Sequence, residues 1–235
     1  MKRILLYVTA LTALISWSCQ RESTDSPMPA NGVLVNDSFS VGINGWEGGY
    51  TDYSTPQDSL IKFRFEQANL PAPLNVAQKS LRVYGENRSD DLFMYISRKL
   101  TNLAPNTEYS LLFEVELASL YPESGFGAGG GPATSVMLKA GASPIKPEKI
   151  KDGSYYRLNL DKGNQLEGGK DLVAIGNLAN GKDIEEYTLI QRSNEGTPFK
   201  VRADAKGELW LIIGTDSGFE GNQSIYYNRI KVTAL

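Results

Sequence analysis

Two kinds of side chain in this sequence have types and spacing suited to chemistry: carboxylates in polar loops, and aromatic rings on a glycine-rich segment. Asp90 and Asp91 follow Asn87-Arg88-Ser89, and Asp216 and Glu220 punctuate the stretch Gly214–Gly221, GTDSGFEG. Oxygen-only donors of this kind suit calcium and nothing softer, so Asp90, Asp91, Asp216 and Glu220 are candidate calcium ligands. The alternative is that Asp90 or Asp91 caps its turn and pairs with Arg88 or Arg98. Trp46, Tyr50 and Tyr53, with Asp52 among them, form a candidate sugar platform. Ring faces stack on the C–H surface of a saccharide while a carboxylate or amide takes its hydroxyls. Asn87, Asn164 and Gln165 would add amide groups from other loops. For Trp46 the competing role is a plug at the end of the fold, and Trp210 is expected in the core.

Composition narrows the chemistry. There is no histidine in 235 residues and a single cysteine, Cys19. Ser-His-Asp and Cys-His catalysis and nearly every zinc or copper site are thereby removed. A net charge of -3 offers no basic face for nucleic acid. The remaining catalytic option is a glycosidase with two carboxylates, about 5 Å apart for retention or about 6.5–9.5 Å for inversion. Glu114 and Glu116 share one strand face, which sets their Cα atoms about 6.5–7 Å apart. No familiar catalytic motif surrounds them, and a solvated strand face is the alternative.

The elements that must position these groups are strands. Ile61, Phe63 and Phe65 alternate with Lys62 and Arg64, and Leu81 and Val83 with Arg82 and Tyr84. The longest alternating run is Tyr109, Leu111, Phe113, Val115 and Leu117; Val136, Leu138 and Ala140 repeat the pattern, as do Phe199 and Val201. Short alternating strands between Pro, Gly and Asn turns predict an all-β antiparallel sandwich. Gly207–Val232 reads as a hairpin of two paired strands around the Gly214–Gly221 loop. The row Lys62, Arg64, Arg82, Lys139, Lys200 and Arg202 is expected on a solvated face. Two long loop insertions, Ser119–Thr134 and Ser143–Asp171, break the rhythm. The first holds Gly125-Phe126-Gly127-Ala128-Gly129-Gly130, but Pro132 and a strand follow where a dinucleotide site needs a helix.

The chain opens with Lys2 and Arg3, then apolar residues and small hydroxyls to Trp17. That describes a secretory signal over 1–18, too short to span a bilayer. Ile15-Ser16-Trp17-Ser18-Cys19 resembles a bacterial lipoprotein lipobox. The resemblance implies that Cys19 is lipidated and holds the protein on a membrane, with 19–32 as a flexible tether. Gln20 in place of aspartate points to the outer membrane under the enteric sorting rule.

From Phe39 onward, NDSFSVGINGWEGG, KSLRVYG, LTNLAPNTEYSLLFEVEL and the closing GELWLIIG and YYNRIKV resemble the jelly-roll carbohydrate-binding modules, the galactose-binding-like sandwiches. The resemblance implies one jelly-roll domain over 33–235 that binds a glycan without cleaving it. In those modules two acidic residues often hold a structural calcium; Ser40 and Asn228 stand at the matching positions here. NRSDDLFMY, DKGNQ and GTDSGFEG resemble signature blocks of a group of secreted bacterial proteins that lends no activity.

The anchor reading has a direct test. Changing Cys19 to Ala should leave the protein exported but soluble. Partition with membranes after a high-salt wash would refute lipidation.

Overall fold

The computed structural model describes Met28, residues 30–89 and residues 91–235. The signal segment, Cys19, Gln20, most of the tether and Asp90 lie outside the described residues. Among the described residues fifteen strands, numbered along the chain, form three antiparallel sheets. A seven-stranded sheet contains β1 (Gly32–Ser38), β4 (Arg64–Asn69), β5 (Lys79–Glu86), β7 (Glu108–Ser119), β12 (Thr188–Ser193), β13 (Phe199–Arg202) and β15 (Asn222–Ala234). A five-stranded sheet runs β11 (Leu172–Asn177), β8 (Val136–Ser143), β14 (Leu209–Ser217), β6 (Leu92–Leu100) and β2 (Glu47–Thr51). The third sheet is small: β3 (Tyr53–Ser54), β10 (Tyr155–Leu158) and β9 (Lys149–Asp152). Successive strands keep switching between the two large sheets, the winding of a jelly roll.

Period-two patterning builds the core, as expected from the alternation. Tyr109, Leu111, Phe113, Val115 and Leu117 of β7 are buried, and they meet Leu209, Leu211 and Ile213 of β14 in the main apolar cluster. The seven-stranded sheet is organised on its two longest strands. β15 pairs with β7 along one side and with β5 and then β1 along the other. β7 in turn carries β12 and β13 end to end. Between those two short strands, Asn194 substitutes for the ladder: its Oδ1 accepts from Phe113 N at 2.7 Å and its Nδ2 donates to Leu111 O at 3.0 Å. That satisfies backbone groups that would otherwise be buried without partners.

The Gly207–Val232 hairpin does not form. β14 and β15 lie in opposite sheets, each between its own partners, and Gly218–Gly221 crosses from one sheet to the other. Both runs are apolar enough to be central strands, and central strands need two neighbours each. The crossover is held from other segments instead: Gly218 N donates to Ser135 O, Glu220 N to Ala128 O, and Asn87 N to Gly221 O. Gly214–Ser217, read above as loop, is strand.

The Ser143–Asp171 insertion is also more than a loop. It contributes the β9–β10 hairpin, whose Gly153-Ser154 turn has Gly153 at φ 58°. The insertion lies over the outer face of the five-stranded sheet. There Leu158 and Leu160 pack with Phe93, Tyr95, Leu172 and Ile212 in a second apolar cluster. β14 is consequently covered on both faces. Trp210, expected in the core, is instead half-buried on this outer face with the Lys146 ammonium 4.9 Å from its ring centre.

Candidate functional site

At the end of the five-stranded sheet where β6 begins and β14 ends, residues far apart in the chain converge. Asp52 follows β2, Asp91 precedes β6, Asp216 sits near the end of β14, and Lys139 lies on the neighbouring β8. The insertion brings Arg157 from β10 and Lys162 from the loop after it. Lys139 and Asp216 have no side-chain exposure, and Lys139 Nζ stands 2.7 Å from Asp216 Oδ2. Lys162 Nζ reaches the same oxygen at 2.8 Å. Its ammonium also lies 3.7 Å from Asp91 Oδ1 and 4.0 Å from Asp52 Oδ1. Arg157 spans Asp52 at 3.4 Å and Asp91 at 3.3 Å. Three carboxylates thus face three cations, and the cluster is electrically balanced.

The electrostatics follow from burial. Loss of water raises the Asp216 carboxyl and lowers the Lys139 amine, against the pull of their mutual contact. The Lys139 Nζ donates to three acceptors, the most an ammonium can serve: Asp216, the carbonyl of Lys162 at 2.9 Å and the carbonyl of Asn164. Burial alone would depress Lys162, but the carboxylates of Asp216, Asp52 and Asp91 outweigh it and hold that amine above its ordinary value. Asp91 is pushed up to about 6, chiefly by burial, with the Asp216 and Asp52 charges adding to the shift. Its contacts to Arg157 and Lys162, at 3.3 Å and 3.7 Å, are too long to offset that.

Above the cluster is an open cavity of about 670 Å³. Asp52, Asp91, Arg157 and Lys162 line it together with Asn164 and Gln165. Leu158, Leu160 and Leu166 give it apolar surface. Two backbone positions shape it. Asp52 is left-handed at φ 65°, which a non-glycine residue adopts only where its surroundings hold it; its N–H donates to Tyr156 O at 2.8 Å and Thr51 Oγ1 donates to its carboxylate. Gly163 is left-handed at φ 75°, and a side chain there would strike Glu167 and Gly168. Asn164 Oδ1 accepts from the backbone of Leu166 and Glu167 and shapes the loop tip.

Of the residues singled out by sequence, Asp52, Asp91, Asn164 and Gln165 therefore come together at one cavity, with Asp216 beneath them. The others do not join it as expected. Trp46 is the plug: it is buried and its Nε1 donates to Asp37 Oδ2 at 2.8 Å. Tyr53 is buried, and its hydroxyl is tied to Asp58 and, at 2.6 Å, to Lys149 Nζ. Tyr50 is stacked between Tyr53 and Phe63, at 5.4 Å and 4.8 Å, with Lys149 over its ring. These rings hold the β3–β9–β10 sheet to the sandwich rather than offering a sugar platform. Asn87 is buried and its Nδ2 donates to Ser217 O and Phe219 O, stapling the crossover after β14.

The calcium reading meets a different arrangement. Two ammonium groups occupy the positive position that the reading gave to a metal, and Glu220 is exposed on the crossover. Among the described residues no group of three or more His, Cys, Asp or Glu side chains is placed to hold a metal ion. Lys139, expected on a solvated face, is fully buried; its alternation on β8 was legible, the insertion covering it was not. Arg157 and Lys162 were missed as site residues. Glu114 and Glu116 lie on the outer face of the seven-stranded sheet, bonded to Lys231 and Asn228.

Comparison with known proteins gives likeness of shape only. No protein-family model matches the chain, and no curated protein matches it. Among solved structures it is similar to the N-terminal endo-1,4-beta-D-xylanase 10B of Clostridium thermocellum, its CBM22-1 and GH10 modules complexed with xylohexaose. Identity is 12% and the TM-score 0.42, over 87% of this chain and only 29% of that one. It is similar too to the module CBM27-1 of Caldicellulosiruptor saccharolyticus in complex with mannohexaose, at 16% identity and a TM-score of 0.37, over 85% and 94% of the two chains. A third likeness is the K3 cleaved adhesin domain of Lys-gingipain from Porphyromonas gingivalis, at 11% identity and a TM-score of 0.40, over 86% and 98%.

Two consequences can be measured. Asp216→Ala leaves Lys139 buried without its counter-ion, a loss of about 3–5 kcal/mol. At this chain length that is a fall in Tm of roughly 6–20 °C by calorimetry. Asp91 acts in the opposite sense. Because its folded pKa, about 6, is raised above the ordinary carboxylate value, its relative stabilisation is full below about pH 4 and is lost as pH rises through 6. The Tm of Asp91→Asn should accordingly gain on the wild type between pH 4 and pH 7. A gap that stays constant would show Asp91 to be ordinarily ionised.

Proposed function

We propose that this is a lipid-anchored envelope protein of the bacterial outer membrane whose sandwich binds a carbohydrate, without cleaving it, at the cavity beside the five-stranded sheet. The observation that supports the reading is the cavity itself. Leu166 gives exposed apolar surface for the C–H face of a sugar, with the margins of the buried Leu158 and Leu160 beneath it, and Asp52, Asp91, Asn164, Gln165 and Arg157 line the cavity with polar groups for its hydroxyls. Open polar sites with a few fixed charged groups and some apolar wall are suited to such ligands. The supporting charge cluster is balanced and tied down, so the site's shape is set before the ligand arrives. Preorganisation of this kind reduces the ordering cost of binding.

The test uses the full chain carrying Cys19→Ala, screened on a glycan array and then titrated calorimetrically with the glycans retained. A Kd in the micromolar to millimolar range is expected, about 4–8 kcal/mol. Gln165→Ala and Arg157→Ala should each weaken it about tenfold. Absence of any retained glycan at millimolar concentration would sink the binding reading. Release of reducing sugar, abolished by Asp52→Asn or Glu116→Gln, would make the protein a glycosidase instead.

A further inference from the structure

The cavity's charge is not that of the cluster beneath it. Asp52, Asp91 and Asp216 are matched by Lys139, Lys162 and Arg157 through the contacts already described. Two more carboxylates, Asp161 and Glu167, line the same cavity. Neither lies within ion-pair distance of a lysine or arginine among the described residues; Asp161 accepts from the backbone of Gly163 and Lys170, and Glu167 from Asn164 Nδ2. Four carboxylates therefore face the cavity against two cations, Arg157 and Lys162, and both cations are already directed at acids. The cavity lining is short of positive charge.

An anionic ligand would enter against that field with nothing free to neutralise it. A neutral sugar would satisfy some acceptors and leave the charge. A protonated amine does both, and its N–H donors match carboxylate oxygens. Resting on the carbohydrate reading of this cavity, we propose that the ligand is an amine-bearing saccharide, held with its ammonium against Asp91 and Glu167 and its ring against the exposed Leu166. Uronate and sulfated sugars are excluded by the same carboxylates, so the cavity selects by charge as well as by shape.

The Cys19→Ala protein is titrated at pH 6.5 with three probes: the trimer of glucosamine, the trimer of N-acetylglucosamine and the trimer of galacturonate. The glucosamine trimer should bind at least tenfold more tightly than either of the others, and more weakly as salt is added. Glu167→Gln keeps the bond to Asn164 while removing a charge, and should lower that preference severalfold at unchanged Tm. Asp91→Asn should lower it further. Equal or tighter binding of the N-acetylated or galacturonate trimer would overturn the amine proposal and leave carbohydrate binding standing. So would silence of all three trimers with a positive glycan array. Failure of the trimers and the array together would remove both readings.

Discussion

Asp216 holds its carboxylate with no exposure on the outer face of a central strand, where an unpaired anion would cost several kcal/mol in lost hydration. Its stability depends on two ammonium groups, and they arrive from different directions. Lys139 belongs to the adjacent strand of the same sheet, whereas Lys162 comes with the insertion. The sheet is complete only when the insertion lies across it. Burial of Leu158 and Leu160 against Phe93, Tyr95 and Ile212 supplies the apolar part of that docking. Glycines make room for it: a side chain at Gly49 would run into the Tyr95 ring, and one at Gly214 into Phe93 and Tyr95. The two rings lie stacked across those gaps, 5.6 Å between centres.

This layering explains what was legible beforehand. The period of two along Tyr109–Leu117 reports one buried face, and burial there is decided by the side chains themselves. Which strand pairs with which is a different kind of information. Glu208–Ile213 and Ile225–Val232 have the composition of neighbours and are not neighbours, because β14 finds β6 and β8 while β15 finds β5, β7 and β1. Lys139 shows the same division. Its place on the outer face of β8 followed from Leu138 and Ala140 turning inward, but solvation did not follow, since the cover is carried some 20 residues later.

Tyr50 and Tyr53 differ from expectation for a related reason. An aromatic pair on a glycine-rich segment looks the same whether its rings meet a sugar or meet Phe63 and Tyr156. The deciding partners, Lys149 and Asp58, lie in other segments. The amides of Asn164 and Gln165 were easier to place because a polar loop tip lies at the surface whatever its side chains bond. Even so, Asn164 spends its side chain on its own loop. A signal for the missed layer was present: small residues at 49, 141 and 214 on one face of three strands imply close approach from above.

A covered charge pair is a poor way to gain stability, since apolar residues of similar volume dock a loop at least as well. Its advantage is positional. An apolar patch tolerates sliding by an ångström or more, but the Lys139 ammonium must meet the carbonyls of Lys162 and Asn164 and the Asp216 carboxylate at once. Those three bonds fix the height and register of the loop from 160 to 167 over the sheet. Asn164 and Gln165 stand at its tip, and Asp52 is held across from it in a left-handed backbone conformation. A site assembled from the ends of β2 and β6 and from an insertion has no single element to keep its parts in register. The buried lysine, contacting sheet and loop together, does so.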